Sequence, residues 1–166
     1  VAETRTYEWQ DNQLLVEASS GLDGLALMRA VLKGRLPGPP IAATMDMRMV
    51  EADAGRVVFA IEASGWHYNA IGSVHGGVYA TVLDSAAACA VHTTLPAGVG
   101  YTSVDLSVKF LRAATRTSGV LRCEGVVVHA GRRTALATAQ LTDAAGKLYA
   151  TATSTCLILR PEAGAS

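Results

Sequence analysis

The chain has 166 residues, enough for one domain, and its 50% hydrophobic and 17% charged content supplies a large core and excludes a disordered polymer. Fourteen basic residues balance fourteen acidic ones, so no net field draws it to nucleic acid or to an anionic membrane surface. No apolar run approaches the ~20 residues of a membrane-spanning helix, and Cys89, Cys123 and Cys156 form neither a zinc pattern nor a CxxC pair, so they read as buried reduced thiols of a cytoplasmic protein.

Val1 to Asn12 is polar and charged, unlike an intact secretory leader, and Val1–Ser20 reads as a loosely attached arm. Leu22, Leu25, Met28, Val31 and Leu32 recur at helical spacing, which predicts a helix over Gly21–Lys33 ended by Gly34 and by Pro37-Gly38-Pro39-Pro40. A strand is expected from about Ala43 to Val50, a turn over Glu51–Gly55, and a second strand over Arg56–Ala63 that closes a hairpin. The segment Asn69-Ala-Ile-Gly72-Ser-Val-His75-Gly76-Gly77 is a glycine-rich turn that leads into a long, almost wholly apolar helix running to about Thr94. That helix carries one carboxylate, Asp84, whose burial is costly unless something uses it.

Thr102–Leu111 alternates, with Val104, Leu106, Val108 and Phe110 on one face and Ser103, Asp105, Ser107 and Lys109 on the other. Three further strands, Ser118–Ala130, Arg133–Thr142 and Leu148–Leu159, are joined by hairpin-like turns at Ala130-Gly131-Arg132 and Asp143–Gly146. The tail Arg160–Ser166 is small and polar and is expected to fray. Short joints make the strands antiparallel. A helix apolar on nearly every side cannot lie on an open sheet; a strongly curved sheet, and a partner chain on the remaining side, would enclose it.

Gly76 and Gly77 stand at the N-terminus of that helix, where free N–H groups and the helix dipole favour an oxyanion. Asp84 is eight residues further, roughly 12 Å along the axis. One carbonyl cannot touch both groups of one chain, because catalytic contacts are ~3 Å. Two antiparallel copies of the helix would bring Gly76 of one chain to Asp84 of the other; Gly77 and Asp84, a heptad apart, share a face. Taken singly, Asp84 also reads as a hydrogen-bonded structural acid, His75 as a capping or core histidine and Asn69 as a turn residue.

The pattern Asn69-x-x-Gly72-x-x-His75-Gly76-Gly77 with Asp84 seven residues on resembles the hotdog-fold acyl-CoA thioesterases of the PaaI type, named for phenylacetate degradation. The likeness runs from about Pro40 to Leu159 and takes in the strand Thr102–Leu106, the hairpin Gly131-Arg132-Arg133 and the pair around Asp143–Ala150. It implies an α+β hotdog fold, a long buried helix wrapped by a curved antiparallel sheet, here with an extra N-terminal helix. Residues 1–39 would be an arm and short helix, 40–160 the hotdog domain and 161–166 a tail.

The resemblance further implies hydrolysis of an acyl-CoA to a free acid and CoA. Asp84 matches the catalytic carboxylate, acting as general base on water or as nucleophile through a mixed anhydride, and the Gly76 N–H polarises the thioester carbonyl. His75 and Asn69 match neighbours that hold the carbonyl and water or orient the site, and Ser103 matches a strand serine that positions water. Asn69, His75 and Gly76 would come from one subunit, Asp84 and Ser103 from the other, in a homodimer that pairs into a tetramer. Gly77 and Ser85 flank the substrate; Ser85 can assist Asp84 or bond back to its own helix. Arg132 and Arg133 suit CoA phosphates, as guanidinium forks do, or are solvated surface charge, with Lys109 and Arg112 as lesser candidates. Cys89 reads as core, since no base stands beside it in the motif. No metal and no cofactor are implied, because CoA belongs to the substrate.

Two other classes share the fold. Acyl-thioester hydratases and dehydratases carry motifs that are absent here, and a non-catalytic acyl-CoA sensor would carry a DNA-binding segment, for which Gly21–Lys33 is a single helix without a partner. Trp66, His67, Tyr68, Tyr79 and the leading helix are candidate walls of the acyl pocket, or aromatic core material.

Overall fold

The computed structural model describes residues 2–161. Three short helices open the chain: α1 (Gln13–Gly21), α2 (Gly24–Leu32) and α3 (Pro40–Met45). Then come β1 (Met47–Asp53), β2 (Arg56–Glu62), the long helix α4 (Gly76–His92), β3 (Gly100–Ser103), β4 (Ser107–Phe110), β5 (Val120–Ala130), β6 (Thr134–Thr142) and β7 (Leu148–Leu159). One antiparallel sheet runs β1-β2-β5-β6-β7-β3, with β4 also paired to β7. Bulges at Met49/Glu51 and Val127/His129 help the sheet curl round α4.

The expected buried helix and hairpins are present, but the N-terminal half differs from the sequence reading in three places. The helix expected over Gly21–Lys33 is α2, which starts later, at Gly24, and a further helix, α1, lies inside the supposed arm. The break falls at Leu22-Asp23, where the Asp23 carboxylate accepts from the Ala26 N–H at 2.8 Å and caps a fresh helix. The strand expected from Ala43 begins at Met47: Pro40 occupies the first turn of α3, and Asp46, at φ 53°, ends it in the left-handed region. The predicted turn Glu51–Gly55 is tighter, because β1 continues to Asp53.

A fourth difference lies beside the site. Thr102–Leu111 is not one strand but β3 and β4. Between them the Asp105 side chain accepts from the Thr155 N–H at 2.8 Å, and Ser154 Oγ donates to the Asp105 carbonyl at 2.9 Å. These bonds replace the regular ladder between β3 and β4, and of the four apolar residues placed on one face Val104 and Phe110 are exposed, at 59% and 57%. Most of the tail, residues 162–166, lies outside the described part.

α4 fills the sheet's concave side with Val82, Leu83, Ala86, Ala87, Ala90 and Val91, none measurably exposed. The sheet approaches so closely at Gly125 that an added Cβ would lie 2.1 Å from the Ala86 carbonyl oxygen. One stripe of α4 faces the gap between the sheet edges instead: Gly77, Thr81, Asp84, Ser85, Cys89 and His92, at helical spacing and none fully buried. α2 closes part of that gap. Its Leu27 and Met28 pack with Ala52 and against Met49, Leu32 and Cys89.

Candidate active site

The loop that enters α4 is held by its own polar groups. Asn69 Oδ1 accepts from the Ile71 and Ser73 N–H groups at 3.0 and 3.2 Å, and its Nδ2 donates to Ser73 Oγ at 3.1 Å. Gly72, at φ 84°, makes the turn that a side chain would strain. Below it, His67 is buried: Nδ1 accepts from the Ser64 N–H at 3.2 Å, so Nε2 carries the proton and donates to the Met45 carbonyl at 2.9 Å. Burial holds the His67 imidazole below the ordinary range of histidine, against the pull of the Met45 carbonyl. The His67 carbonyl in turn accepts the His75 N–H at 2.7 Å and sets where α4 begins.

His75 is the N-cap of α4. Its Nδ1 accepts the Gly77 N–H at 2.8 Å, so a neutral ring presents Nε2–H outward as a donor. Gly77 is therefore already spent on the cap, whereas no backbone acceptor among the described residues takes the Gly76 N–H. That free donor sits at the positive end of a 17-residue helix, with the Phe110 ring beside it.

Asp84 projects from the open stripe two turns away. Ser103 Oγ, at the end of β3, donates to its Oδ1 at 2.8 Å. The two bound a cavity of about 940 Å³ that also reaches Ser85 but none of Asn69, His75, Gly76 and Gly77. One chain thus keeps the sequence-predicted residues in two groups: the loop and helix start in one, Asp84, Ser85 and Ser103 in the other. Arg132 and Arg133 lie apart from both, exposed at the β5–β6 turn, where the Arg133 carbonyl accepts the Ile158 N–H. Burial pushes the Cys89 thiol up to about 12, which leaves no thiolate for nucleophilic attack.

The proposed aromatic walls are not at this cavity. Trp66 stacks on the Arg5 guanidinium at 4.7 Å, Tyr68 Oη accepts from the Arg116 N–H, and Tyr79 Oη donates to the Arg112 carbonyl. All sit at the N-terminal end of α4, turns away from Asp84. The leading helices do line it. His92 and Tyr101, with ring centroids 4.9 Å apart, bound its far end and were not singled out from sequence. Their one signal was spacing, since 84, 88 and 92 share a helix face.

The sequence pattern of the thioesterase superfamily matches residues 71–150. Human acyl-coenzyme A thioesterase 13 is 31% identical over 103 residues, which cover 61% of this chain and 72% of the human protein. The chain belongs to the thioesterase superfamily. Among solved structures, a phenylacetic acid degradation-related protein from Ralstonia eutropha JMP134 shares 32% identity with this one (TM-score 0.71; 78% of this chain and 97% of that one covered). The E. coli PaaI protein from the phenylacetic acid degradation operon has the same fold at 20% identity (TM-score 0.70; 85% and 96% covered). The protein is therefore a thioester hydrolase of PaaI type on a hotdog fold.

Proposed function

We propose that the chain hydrolyses acyl-CoA thioesters to a free carboxylic acid and CoA. The observation that carries this reading is the Ser103–Asp84 hydrogen bond in the wall of a large cavity in a chain of this superfamily. Asp84 supplies the attack. As general base it takes a proton from water that Ser103 orients; as nucleophile its carboxylate forms a mixed anhydride that water then opens. Both routes release the CoA sulfur as thiol; the acyl carbon takes its new oxygen from water on the base route and, with water opening the anhydride at the Asp84 carboxyl carbon, from Asp84 on the nucleophilic route. A single turnover in ¹⁸O-water separates them, since only the nucleophilic route puts label into the Asp84 carboxyl.

The developing oxyanion needs a donor, and the Gly76 N–H is the free one at the helix start, with His75 Nε2–H beside it and Asn69 holding their loop. In one chain these are remote from Asp84, so the reading requires a second copy: Gly76 of one subunit completes the site of Asp84 on the other. Exposed Ile71, Val104, Phe110 and Leu111 offer apolar area near the helix start and the β3–β4 edge for that contact. Val128, Leu136 and Leu157, exposed on the convex side of the sheet, favour a further pairing of dimers into a tetramer. Arg132 and Arg133, exposed on the β5–β6 turn, would meet CoA phosphates from outside.

The hydrolase unit spans residues 40–160, with 1–39 an appended segment. The reaction calls on no cofactor, and the reduced thiols of Cys89, Cys123 and Cys156 suit the cytoplasm. The test is thiol release from a panel of acyl-CoAs. Wild type should cleave at least one, and Asp84→Asn should lower kcat by about 10² or more; equal rates overturn the reading.

A further inference from the structure

The cavity beside Asp84 has a floor and a roof of different origin. The floor is the open stripe of α4, and beyond the carboxylate it is made of small side chains, Ser85, Ala88 and Cys89, up to His92. The roof comes from α1 and α2, through Leu15, Val31 and Leu32. Both helices lie outside residues 71–150, the part that matches the superfamily pattern. Backbone hydrogen bonds join them to the body of the fold: the Gly98 N–H donates to the Ser19 carbonyl and the Gly24 N–H to the Leu95 carbonyl, each at 3.0 Å. At Gly24 the approach is so close that a Cβ would lie 1.7 Å from the His92 carbonyl oxygen.

We propose that the N-terminal helices of this chain roof an acyl channel that runs along α4 from Asp84 to His92 and selects medium-length, unbranched acyl groups. The proposal rests on Asp84 being the reacting carboxylate. About 940 Å³ is ample for such a group, within the usual range of enclosed ligand sites. The length follows from the helix. Eight residues from Asp84 to His92 rise roughly 12 Å. C–C bonds of about 1.5 Å at tetrahedral angles advance about 1.25 Å per carbon, so the channel holds about nine or ten carbons before the His92–Tyr101 pair stops it. A floor of Ser85, Ala88 and Cys89 leaves width for a methylene chain, and a roof of Leu and Val gives it apolar contact.

The experiment is kcat/KM for straight-chain acyl-CoAs of two to sixteen carbons, in wild type, Ala88→Leu (floor) and Val31→Phe (roof), each checked for fold by circular dichroism. Wild type should peak near eight to ten carbons. Each variant should lower the decanoyl-to-acetyl ratio of kcat/KM about tenfold or more. A wild-type profile flat in chain length, or variants that scale all substrates alike, overturns the channel. If wild type matches Asp84→Asn on every substrate, the hydrolytic reading has failed, and calorimetric titration with decanoate then decides the channel alone. Binding by wild type that Ala88→Leu and Val31→Phe weaken tenfold upholds it; binding unaffected by either, or none at all, overturns it.

Discussion

At the scale of single residues, the site rests on polar groups whose partners fix their chemistry. Ser103 gives its hydrogen to Asp84 Oδ1, which orients the carboxylate of a residue that lines the cavity. A hydrogen bond to a charged group is worth about 1.5–3 kcal/mol, and loss of that order slows a reaction by roughly 10–100-fold. Ser103→Ala should therefore lower kcat by about that factor, with KM for acyl-CoA changed far less; a KM effect alone would make Ser103 a binding residue only. His67 gives a pH prediction. Burial holds His67 below its ordinary 6.5, and His92 is lowered by the same cause. Below that pH the unfolded chain takes up protons that the folded one refuses, so their contribution is complete above 6.5 and is lost on acidification. For His67 the loss is up to about 1.4 kcal/mol per pH unit until its folded value is reached. The urea midpoint should fall between pH 7.5 and pH 5.5; a constant or higher midpoint at pH 5.5 contradicts this.

At the scale of elements, the close approaches between α4 and its neighbours are what hold the open stripe in place. Gly125 of β5 lets the sheet touch the backbone of α4, and a Cβ there has no room beside the Ala86 carbonyl. Gly125→Ala should cost about 1–3 kcal/mol or more, visible as a lower Tm, because both backbones would have to shift. Gly24→Ala should act locally: with α2 pushed from the end of α4, amide exchange should rise in α1 and α2 while β5–β7 stay protected. These contacts also mark the limit of what the chain's pattern could tell. α4 and the β5–β7 hairpins were legible because their period and turn residues agree over long runs. The predicted helix over Gly21–Lys33 began too early because Leu22, Leu25 and Met28 keep helical spacing straight across the Asp23 cap, and α1 went unread inside the polar arm. β3 and β4 were fused because alternation survives through residues 104–106, where side chains of Asp105 and Ser154 replace the ladder. Of the site, the separation of Gly76 from Asp84 could be read from helical spacing, Asn69, His75 and Ser103 came from the family resemblance, and the leading helix was named as a pocket wall; the His92–Tyr101 pair, made by a contact between elements, was not.

At the scale of the whole molecule, one chain keeps the two groups of candidate site residues apart. The free Gly76 N–H stands at one end of α4, and Asp84 with Ser103 stands two turns on, facing a cavity that the first group does not reach. In the proposed reading a composite site made by two subunits joins them. The most direct measurement uses two damaged chains. Gly76→Pro removes the N–H donor at a helix position that accepts proline, and His75, at φ −64° and ψ 140°, already has the extended backbone that a following proline favours. Asp84→Asn removes the carboxylate. Each variant alone should be inactive in thiol release. After co-expression, with random pairing confirmed by native mass spectrometry, half the dimers are mixed and each mixed dimer has one intact site. Activity should then recover to about a quarter of wild type. A mixture that forms mixed dimers yet stays at the background of the separate variants would contradict the shared site.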